Sequence, residues 1–406
     1  MLVEYFGDLH IHLGRTLDGF PVKVTAARNQ TLPNVLEEAK RKGLDILGIV
    51  DCACPRVFRE FEDLLRKGRA EELPEGGVRY GDDLTVIPGV EIEATEENGR
   101  HAHWLAYFPH LDRLRSFIEF LKKHLSNPNL STQKCPLPAR VLLYEVVERG
   151  GIFFPAHAFT PHQGVYGQCT ASLRELLGSD GIQLIFALEL GLSADTELAD
   201  HLAELSEITF LSNSDAHSLK SLGREYNVFE LKAANWEELL KALKREEGRK
   251  VKANYGLDPR LGKYHRTFCL SCKRIAEQEP PVLKCPYCGS QNVVKGVLDR
   301  IREIGEWSES HSPSHRPPYY YQVPLHFLPG VGPRTIEKLL SRFGTEMRVL
   351  HEASLEELKD TVGTRIAELI WEARHGKLRI EAGGGGTYGK VFKEAKARDE
   401  THNRSC

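Results

Sequence analysis

Short apolar runs alternate with longer amphipathic stretches over the first 250 residues of the chain. The apolar runs predict β-strands, and the longer stretches predict helices between or after them. This alternation is typical of parallel strands joined by crossover helices, so we predict an α/β barrel or an open sheet. The predicted strands are residues 3–6, 46–50, 85–90, 151–154, 185–190 and 208–211. The predicted helices are residues 32–42, 111–124, 138–149 and 235–247.

The pattern changes after residue 250. A connector containing Gly256, Pro259 and Gly262 leads to a short polar segment with two pairs of cysteines. A second connector, residues 308–321, is rich in Ser, Pro and Tyr and precedes a compact helical region. At 406 residues the chain exceeds one ordinary core. We predict an α/β domain at 1–255, a cysteine-stapled module at 266–296, a helical domain at 323–380 and a flexible glycine-rich tail at 381–406.

Composition places the chain among globular proteins, with 41% hydrophobic and 27% charged residues and no apolar run of bilayer-spanning length. The first ten residues lack an apolar stretch after a basic start, so we expect no secretory signal, a cytoplasmic location and no membrane contact. Net charge is −3, but residues 251–406 hold 25 Lys and Arg against 19 Asp and Glu, whereas residues 1–250 hold 29 against 38. An acidic first part suits cation binding, and a mildly basic second part suits a polyanion.

Histidines and carboxylates follow the predicted strands closely. In Asp8-Leu-His10-Ile-His12, an extended backbone points both histidines to the same side, where they can share one ion. An HxH pair alone is common by chance, but later predicted strands are followed by Asp51, Glu91, His157, Asp215 and His217, and His103 lies in His101-Ala-His103-Trp-Leu. Imidazole and carboxylate together suit zinc, manganese or iron, and neighbouring ions can polarise a phosphate and lower the pKa of a bound water. The pattern predicts a polynuclear centre for phosphoester hydrolysis.

Four ordered motifs resemble those of the polymerase-and-histidinol-phosphatase (PHP) family: DLHIH at 8–12, PGVEIE at 88–93, a central His157 and SDAH at 214–217. The resemblance covers residues 1 to about 250. It implies a distorted seven-stranded (β/α) barrel with a trinuclear centre, in which Glu91 and Asp215 are the catalytic residues. One ion is implied at His10, His12, Glu91 and Asp215. Glu91 is then implied to bridge to a second ion held by His103 and His157.

A third ion is implied at His217, with companions that the sequence leaves open. Asp18 fits by its spacing from His12, and Asp51-Cys52 stands where many PHP proteins have Asp-His. Either Asp51 or Cys52 binds the ion, or the third position is weak. His101, His162 and Glu189 are not assigned as ligands, and Cys54 and Cys169 are expected to be packing residues.

The cysteine-stapled module has the spacing Cys-x2-Cys, twelve residues, Cys-x2-Cys at Cys269, Cys272, Cys285 and Cys288. Four thiolates in two pairs close a tetrahedral structural zinc site, with no open position for water. We predict a zinc ribbon that holds a small fold together.

The helical region opens with Leu328-Pro-Gly330-Val-Gly332-Pro-Arg334, a Gly-x-Gly turn before a predicted helix that carries Lys338. Glycines at a helix N-terminus let a phosphate approach the backbone amides, and Arg334 and Lys338 add positive charge. The segment resembles a helix-hairpin-helix DNA-binding motif, and residues 358–374 resemble a weaker second copy. An ordinary helical hairpin is the alternative.

Together, a PHP-like barrel, a four-cysteine ribbon and a helical DNA-binding region resemble the endonuclease Q family of DNA-repair enzymes. The resemblance implies a metal-dependent endonuclease that cuts damaged DNA 5′ to uracil, hypoxanthine or an abasic site. It implies two or three divalent ions in the barrel (zinc, manganese or magnesium) and one structural zinc. Two alternatives remain: a PHP-type phosphatase for a small phosphate monoester, which the barrel alone permits, and a non-catalytic DNA-binding protein, which Cys52 favours.

Overall fold

The computed structural model describes residues 1–392. Its β-strands are β1 (Val3–Ile11), β2 (Ile46–Ile49), β3 (Ala70–Glu72), β4 (Val78–Tyr80), β5 (Leu84–Thr95), β6 (His101–Tyr107), β7 (Lys134–Cys135), β8 (Ile152–Pro155), β9 (Ala187–Glu189), β10 (Thr209–Leu211), β11 (Tyr226–Leu231), β12 (Lys250–Gly256), β13 (Phe268–Cys269), β14 (Val293–Val294), β15 (Tyr319–Tyr321), β16 (Arg379–Glu381) and β17 (Lys390–Phe392). Its α-helices are α1 (Leu32–Lys42), α2 (Pro55–Arg66), α3 (Leu111–Leu121), α4 (Ala139–Glu148), α5 (Leu173–Gly181), α6 (Thr196–Ala199), α7 (Trp236–Lys244), α8 (Val297–Ile304), α9 (Pro333–Phe343), α10 (Glu346–His351), α11 (Leu355–Val362) and α12 (Thr364–Arg374). Within this part of the chain, no helix has the length and apolar character needed to cross a bilayer.

Seven strands surround the core of the N-terminal domain in the order β1, β2, β5, β6, β8, β9 and β10. β1, β2 and β5 pair in parallel, as the alternating pattern predicts. β6 instead pairs antiparallel with β5 and β8, because a tight turn, in which Glu96 N donates to Arg100 O at 2.8 Å, joins β5 directly to β6. At β6 the barrel therefore departs from the predicted pattern of parallel strands joined by crossover helices, and it is distorted there.

The barrel closes where the segment after β10 returns to β1. Ala216 N donates to His10 O, and His12 N donates to Ala216 O, both at 3.1 Å. β9 and β10 pair in parallel, and Ala158 N, just after β8, donates to Glu189 O at 2.9 Å. Closure brings residues far apart in sequence to one rim of the barrel.

Helices cover the barrel because each has one apolar face. α1 has Pro33 in its first turn and ends at Gly43, whose φ of 83° suits a left-handed C-cap. Its buried residues are Leu32, Val35, Leu36, Ala39 and Lys42. Burying one leucine or valine side chain contributes roughly 1.5–3 kcal/mol relative to leaving it exposed. The packing of this face, more than helix propensity, fixes α1 on the sheet.

The cysteine-stapled module is a small two-stranded fold, β13 and β14, followed by α8. Asp299, in the first turn of α8, is fully buried, and its carboxylate accepts from Thr267 N at 2.9 Å and Val282 N at 2.8 Å. The next residue, Arg300, donates to Tyr166 O of the barrel at 2.8 Å. α8 thus connects the module to the barrel.

Helices α9 to α12 enclose a separate apolar core that includes Leu339, Val349, Leu358, Ile366 and Ile370. This helical region rests on α1 of the barrel. Lys42 Nζ lies 2.8 Å from Glu346 Oε2 in an ion pair whose side chains are 5% and 9% exposed. Removing one partner of such a buried pair leaves an uncompensated charge, so the pair fixes where the region docks.

Residues 379–392 form a β-hairpin, β16 paired with β17, which we call the C-terminal hairpin. Gly383 N donates to Arg260 O at 2.7 Å, and Gly389 N donates to Leu261 O at 2.9 Å. A Cβ on Gly383 would lie 2.7 Å from Gly262 O, so the close approach requires glycine. The predicted flexible tail is therefore wrong for residues 381–392, whose glycines allow tight backbone packing. The remainder of that prediction, residues 393–406, lies outside the described residues.

A buried carboxyl joins the barrel to the connector on which the C-terminal hairpin rests. Glu225 is fully buried, and its Oε1 accepts from Leu257 N at 2.8 Å. Burial raises the pKa of Glu225 to about 8. The carboxyl is therefore protonated at neutral pH.

We expect Glu225→Gln to be more stable than the parent protein in alkaline solution. The folded-state pKa of Glu225, about 8, lies above the unfolded value of about 4.3, so stability is lost as pH rises between these two values. Glutamine does not ionise and avoids this loss, whose upper bound is about 5 kcal/mol. Denaturant unfolding at about pH 5 and about pH 9 measures the effect. A gain in the free energy of unfolding of the variant over the parent that does not grow with pH would contradict the raised pKa of Glu225.

Candidate metal centre

Two histidines from β1 lie inside the barrel rim. His10 is in the strand and His12 follows its last residue, so the two-residue period of an extended chain turns both rings inward. Both are fully buried, and their Nε2 atoms lie 3.3 Å apart. Two imidazole nitrogens at this distance can bind the same ion.

A carboxylate behind each histidine fixes its ring. His10 Nδ1 donates to Glu189 Oε2, and His12 Nδ1 donates to Asp51 Oδ1, each at 2.9 Å. Since a carboxylate only accepts, both Nδ1 atoms carry the hydrogen and both Nε2 lone pairs are free for metal. Asp51 is thus placed as the support of His12 rather than as a ligand, and its other oxygen accepts from Leu13 N.

Glu91 lies between two groups of histidines. Its Oε2 is 3.2 Å from His12 Nε2, whereas its Oε1 is 2.9 Å from His103 Nδ1 and 3.4 Å from His157 Nε2. Burial alone would raise the pKa of Glu91. His103 and Lys23 favour the charged carboxylate, however, and hold that pKa well below its ordinary range. Since Oε1 also lies 3.5 Å from His10 Nε2, the carboxylate is close to both groups, the arrangement needed to bridge two ions.

Asp215 completes the first group at its open edge. Its Oδ1 lies 3.5 Å from His10 Nε2 and 3.6 Å from His12 Nε2, and its side chain is 29% exposed. Asp215 has φ of 46° and His157 has φ of 30°, a region that residues other than glycine rarely adopt. Such backbone strain gathers at functional sites, where the surrounding structure maintains it.

Unpartnered atoms show that these residues fit divalent ions. Asp215 Oδ1, His103 Nε2 and His157 Nδ1 are buried without a hydrogen-bond partner among the described residues. Buried polar atoms are normally paired, and metal coordination is one way to satisfy them. Two groups have their ligand atoms within 4.8 Å of one another: His10, His12 and Glu91, and Glu91, His103 and His157.

The third predicted position is poorer in ligands. His12, Asp215 and His217 also lie within 4.8 Å of one another, but His12 already belongs to the first group. Because His12 Nδ1 is hydrogen-bonded to Asp51, only its Nε2 is free, and His12 can bind one ion. A third ion would therefore have His217 and a shared Asp215 as its ligands.

Two other candidates for the third position lie apart from the cluster. Asp18 has a 55% exposed side chain and accepts from Arg56 at 2.5 Å. Cys52 is fully buried, its thiol donates to Ile49 O at 3.0 Å, and burial raises the pKa of that thiol. Neither is among the groups of metal-binding geometry.

Sequence reasoning missed two polar side chains at the centre. Lys23 Nζ donates to Glu91 Oε2 at 2.9 Å, and Thr132 Oγ1 donates to the same oxygen. Lys23 lies in an irregular loop, and Thr132 precedes the short β7, so neither follows a predicted strand. Glu189, which was not assigned as a ligand, was at least visible as an acidic residue at a predicted strand end.

The cysteine and glycine motifs take the predicted local form. Cys269, Cys272, Cys285 and Cys288 have their sulfur atoms within 4.8 Å of one another, as a structural zinc site requires. Gly330 has φ of 84°, and Gly332 is the N-cap of α9, with Arg334 and Lys338 exposed on the first turns. The residues before this loop form a single helical turn, whereas α11, Gly363 and α12 form a complete helical hairpin.

Comparison with known proteins identifies relatives over nearly the whole chain. Protein YqxK of Bacillus subtilis (strain 168) is 45% identical over 391 residues, 96% of this chain and 99% of that protein. The solved structure of the lesion-specific endonuclease PfuEndoQ from Pyrococcus furiosus is similar with a TM-score of 0.83 and 35% identity, covering 98% of both chains. The chain belongs to the endonuclease Q family.

A second endonuclease Q structure, a complex with a 27-mer duplex bearing an abasic lesion at the active site, also has a TM-score of 0.83 at 35% identity, covering 98% of this chain and 100% of that one. A family model described as PHP-associated matches residues 195–247, which include Asp215 and His217. The predicted membership of the endonuclease Q family and the predicted PHP-type α/β fold are confirmed.

We expect Glu189→Gln to weaken metal binding in the barrel by about 10- to 100-fold, because it removes the charge that orients His10. Competition with a chromophoric chelator measures this affinity. The control is Glu230→Gln, which removes a carboxylate 3.4 Å from Lys250 on the β11–β12 surface and should bind metal like the parent. Equal affinity of Glu189→Gln and the parent would contradict the supporting role.

Proposed function

We propose that this protein hydrolyses a DNA phosphodiester on the 5′ side of a deaminated base, uracil or hypoxanthine, or of an abasic site. As a member of the endonuclease Q family it is an enzyme, a metal-dependent phosphodiesterase. The observation that carries the proposal is the buried set of candidate ligands on both sides of Glu91, which opens at Asp215 onto a cavity. The abasic lesion at the active site of the related complex supports the choice of substrate.

The residues of the centre have separable tasks. Divalent ions bound there would polarise the phosphate and lower the pKa of a bound water. His10 and His12 are held in one orientation by their carboxylates, and Glu91 spaces the two groups of ligands. Lys23 adds a fixed positive charge beside Glu91, and preorganised charge of this kind favours the negative charge that develops on a reacting phosphate.

The cavity beside Asp215 supplies room for the nucleotide next to the cut. Its volume is about 220 Å³, and its polar lining includes Thr160, Gln163, Ser193 and Asn213. Enzymes that act on a damaged nucleotide commonly turn it out of the stack into such a pocket. A cavity of about 230 Å³ between β15 and α12 is similar in size but lies away from the metal ligands, so we assign it no part in cleavage.

The helical region is proposed to hold the duplex. The first turn of α9 leaves backbone amides unpaired by the helix, and Gly330 and Gly332 are not buried. Arg334 and Lys338 add charge on the same turns. Contacts of this kind bind phosphates without reading sequence, so they would position DNA for the barrel.

We further propose that the barrel holds two resident ions rather than three. The third position has His217 and a shared Asp215 oxygen, whereas metal sites in proteins normally use at least three protein ligands. The ligand types admit zinc, manganese or magnesium, and the four cysteines are proposed to hold one zinc.

Metal content tests this number. The purified protein is expected to hold two barrel ions and one ribbon zinc per chain, measured by plasma mass spectrometry. His217→Ala should leave the content unchanged, whereas His157→Ala should lower it, since His157 is one of three ligands of the second ion. Loss of an ion from His217→Ala would argue for a third resident site.

Cleavage of end-labelled duplexes with one uracil, one hypoxanthine, one abasic site or no lesion tests the function. The parent protein should nick 5′ to each lesion, and a chelator should prevent it. Asp215→Asn should lower the cleavage rate by more than about 100-fold, because it removes a charged ligand. Residues that only support a ligand typically change activity by about 10- to 100-fold. DNA affinity should be unchanged. Nicking retained by Asp215→Asn would reject the proposed centre.

A double variant, Arg334→Ala with Lys338→Ala, serves as the complementary control. It should weaken binding of all four duplexes alike, because phosphate contacts carry no base information. Turnover of a phosphate monoester without any DNA cleavage would instead favour the phosphatase. Binding of DNA without any hydrolysis would favour the non-catalytic protein.

A further inference from the structure

The cavity beside the metal ligands has walls from two parts of the chain. The barrel contributes His157, Asn213 and Asp215 on one side. Lys263 and Tyr264, from the connector after the barrel, and Tyr388, from the C-terminal hairpin, contribute another part of the lining. A segment near the end of the described chain therefore borders the centre that the barrel builds.

The C-terminal hairpin is fixed on three sides. Its turn hydrogen-bonds to the connector, where Gly386 N donates to Lys263 O at 3.3 Å. Gly384 and Gly385 pack on the ribbon so closely that an added Cβ would lie 2.4 Å from Ile275 and 2.8 Å from Phe268. Val391 is 5% exposed and belongs to the core of the helical region. These anchors determine where Tyr388 lies.

Two cations surround Tyr388. Arg224 Nη1 donates to the Tyr388 hydroxyl at 3.1 Å, and Arg224 Nε donates to Ser214 O, next to Asp215, at 2.8 Å. Lys263 Nζ lies 4.6 Å from the centre of the Tyr388 ring. Within residues 1–392, neither Arg224 nor Lys263 forms an ion pair with a carboxylate. Lys263, a cation of the cavity wall, and Arg224, in contact with the Tyr388 hydroxyl, favour an anionic occupant.

The hydroxyl of Tyr388 can bind the same occupant. Burial raises the pKa of Tyr388, so the phenol keeps its hydrogen at neutral pH. Its oxygen accepts from Arg224, which leaves that hydrogen to be donated. A neutral donor beside two cations matches the oxygens of a phosphodiester.

We propose that Tyr388, oriented by Arg224, is a substrate-contacting residue that, with Lys263, holds a phosphate of the cut strand next to the scissile one. This inference rests on the proposed function and adds a residue from outside the barrel to its site. The hairpin is already anchored by its glycines and by Val391, so its fold does not depend on the hydroxyl of Tyr388.

Tyr388→Phe tests the contact in the full-length holoprotein, because it removes the hydroxyl and keeps the ring. With enzyme in excess over an abasic duplex, its cleavage rate should fall by about 10- to 100-fold, the effect of losing a hydrogen bond to a charged group. Metal content and melting temperature should stay those of the parent. Tyr388→Ala should lower the rate further. The matched control, Tyr320→Phe, alters an exposed tyrosine of β15 away from the centre and should cut like the parent.

The outcomes separate this inference from the proposed function. The inference is overturned, and the function stands, if the parent cuts and the cleavage rate of Tyr388→Phe is within about twofold of the parent rate. A difference of that size is smaller than the loss of one hydrogen bond gives. If the parent cuts no lesion duplex, the function fails, and calorimetric binding of the dinucleotide pTpT decides the inference. Weaker binding by Tyr388→Phe than by the parent would support a phosphate contact, whereas equal binding would overturn it.

Discussion

Two buried hydrogen bonds between carboxylates and histidines set the arrangement on which the rest of the centre depends. Glu189 at the end of β9 fixes His10, and Asp51 after β2 fixes His12. An unpaired charge buried inside the barrel would destabilise the fold by several kcal/mol. Each carboxylate therefore depends on its histidine as much as the histidine ring depends on the carboxylate. Since the partners come from β1, β2 and β9, the pairs also tie together strands that lie on different sides of the barrel.

Much of the fold and part of the centre could be predicted because the signals are local. Alternating apolar runs indicated the strands, and the two-residue period of β1 placed His10 and His12 on one side. The antiparallel β6 was missed because its sequence, HAHWLAY, has no crossover helix before it, and it was not among the predicted strands. Strand direction depends on the length of the preceding connection, which apolar periodicity does not report.

Residue type could not separate ligands from supports. Asp51 and Glu189 have the same chemistry as Asp215, and the difference lies in which histidine nitrogen each carboxylate faces. Asp18 had the right spacing from His12, but its position after a turn brings it to Arg56 at the surface. Lys23 contacts a residue 68 positions away, a relation that no local pattern contains. The run of glycines was ambiguous for the same reason, because the backbone that packs against it lies in a distant segment.

The order of the parts along the chain has a consequence for synthesis. Every barrel ligand of the two proposed metal sites precedes the ribbon and the helices α9 to α12 in the chain, so these ligands are translated first. Tyr388 and the glycines that place it are translated long afterwards. A product cut short by a frameshift or by a protease before residue 388 keeps the ligands but lacks one wall of the cavity. The surface that faces the proposed ions is therefore finished only when residue 388 has been added, well after the ligands themselves.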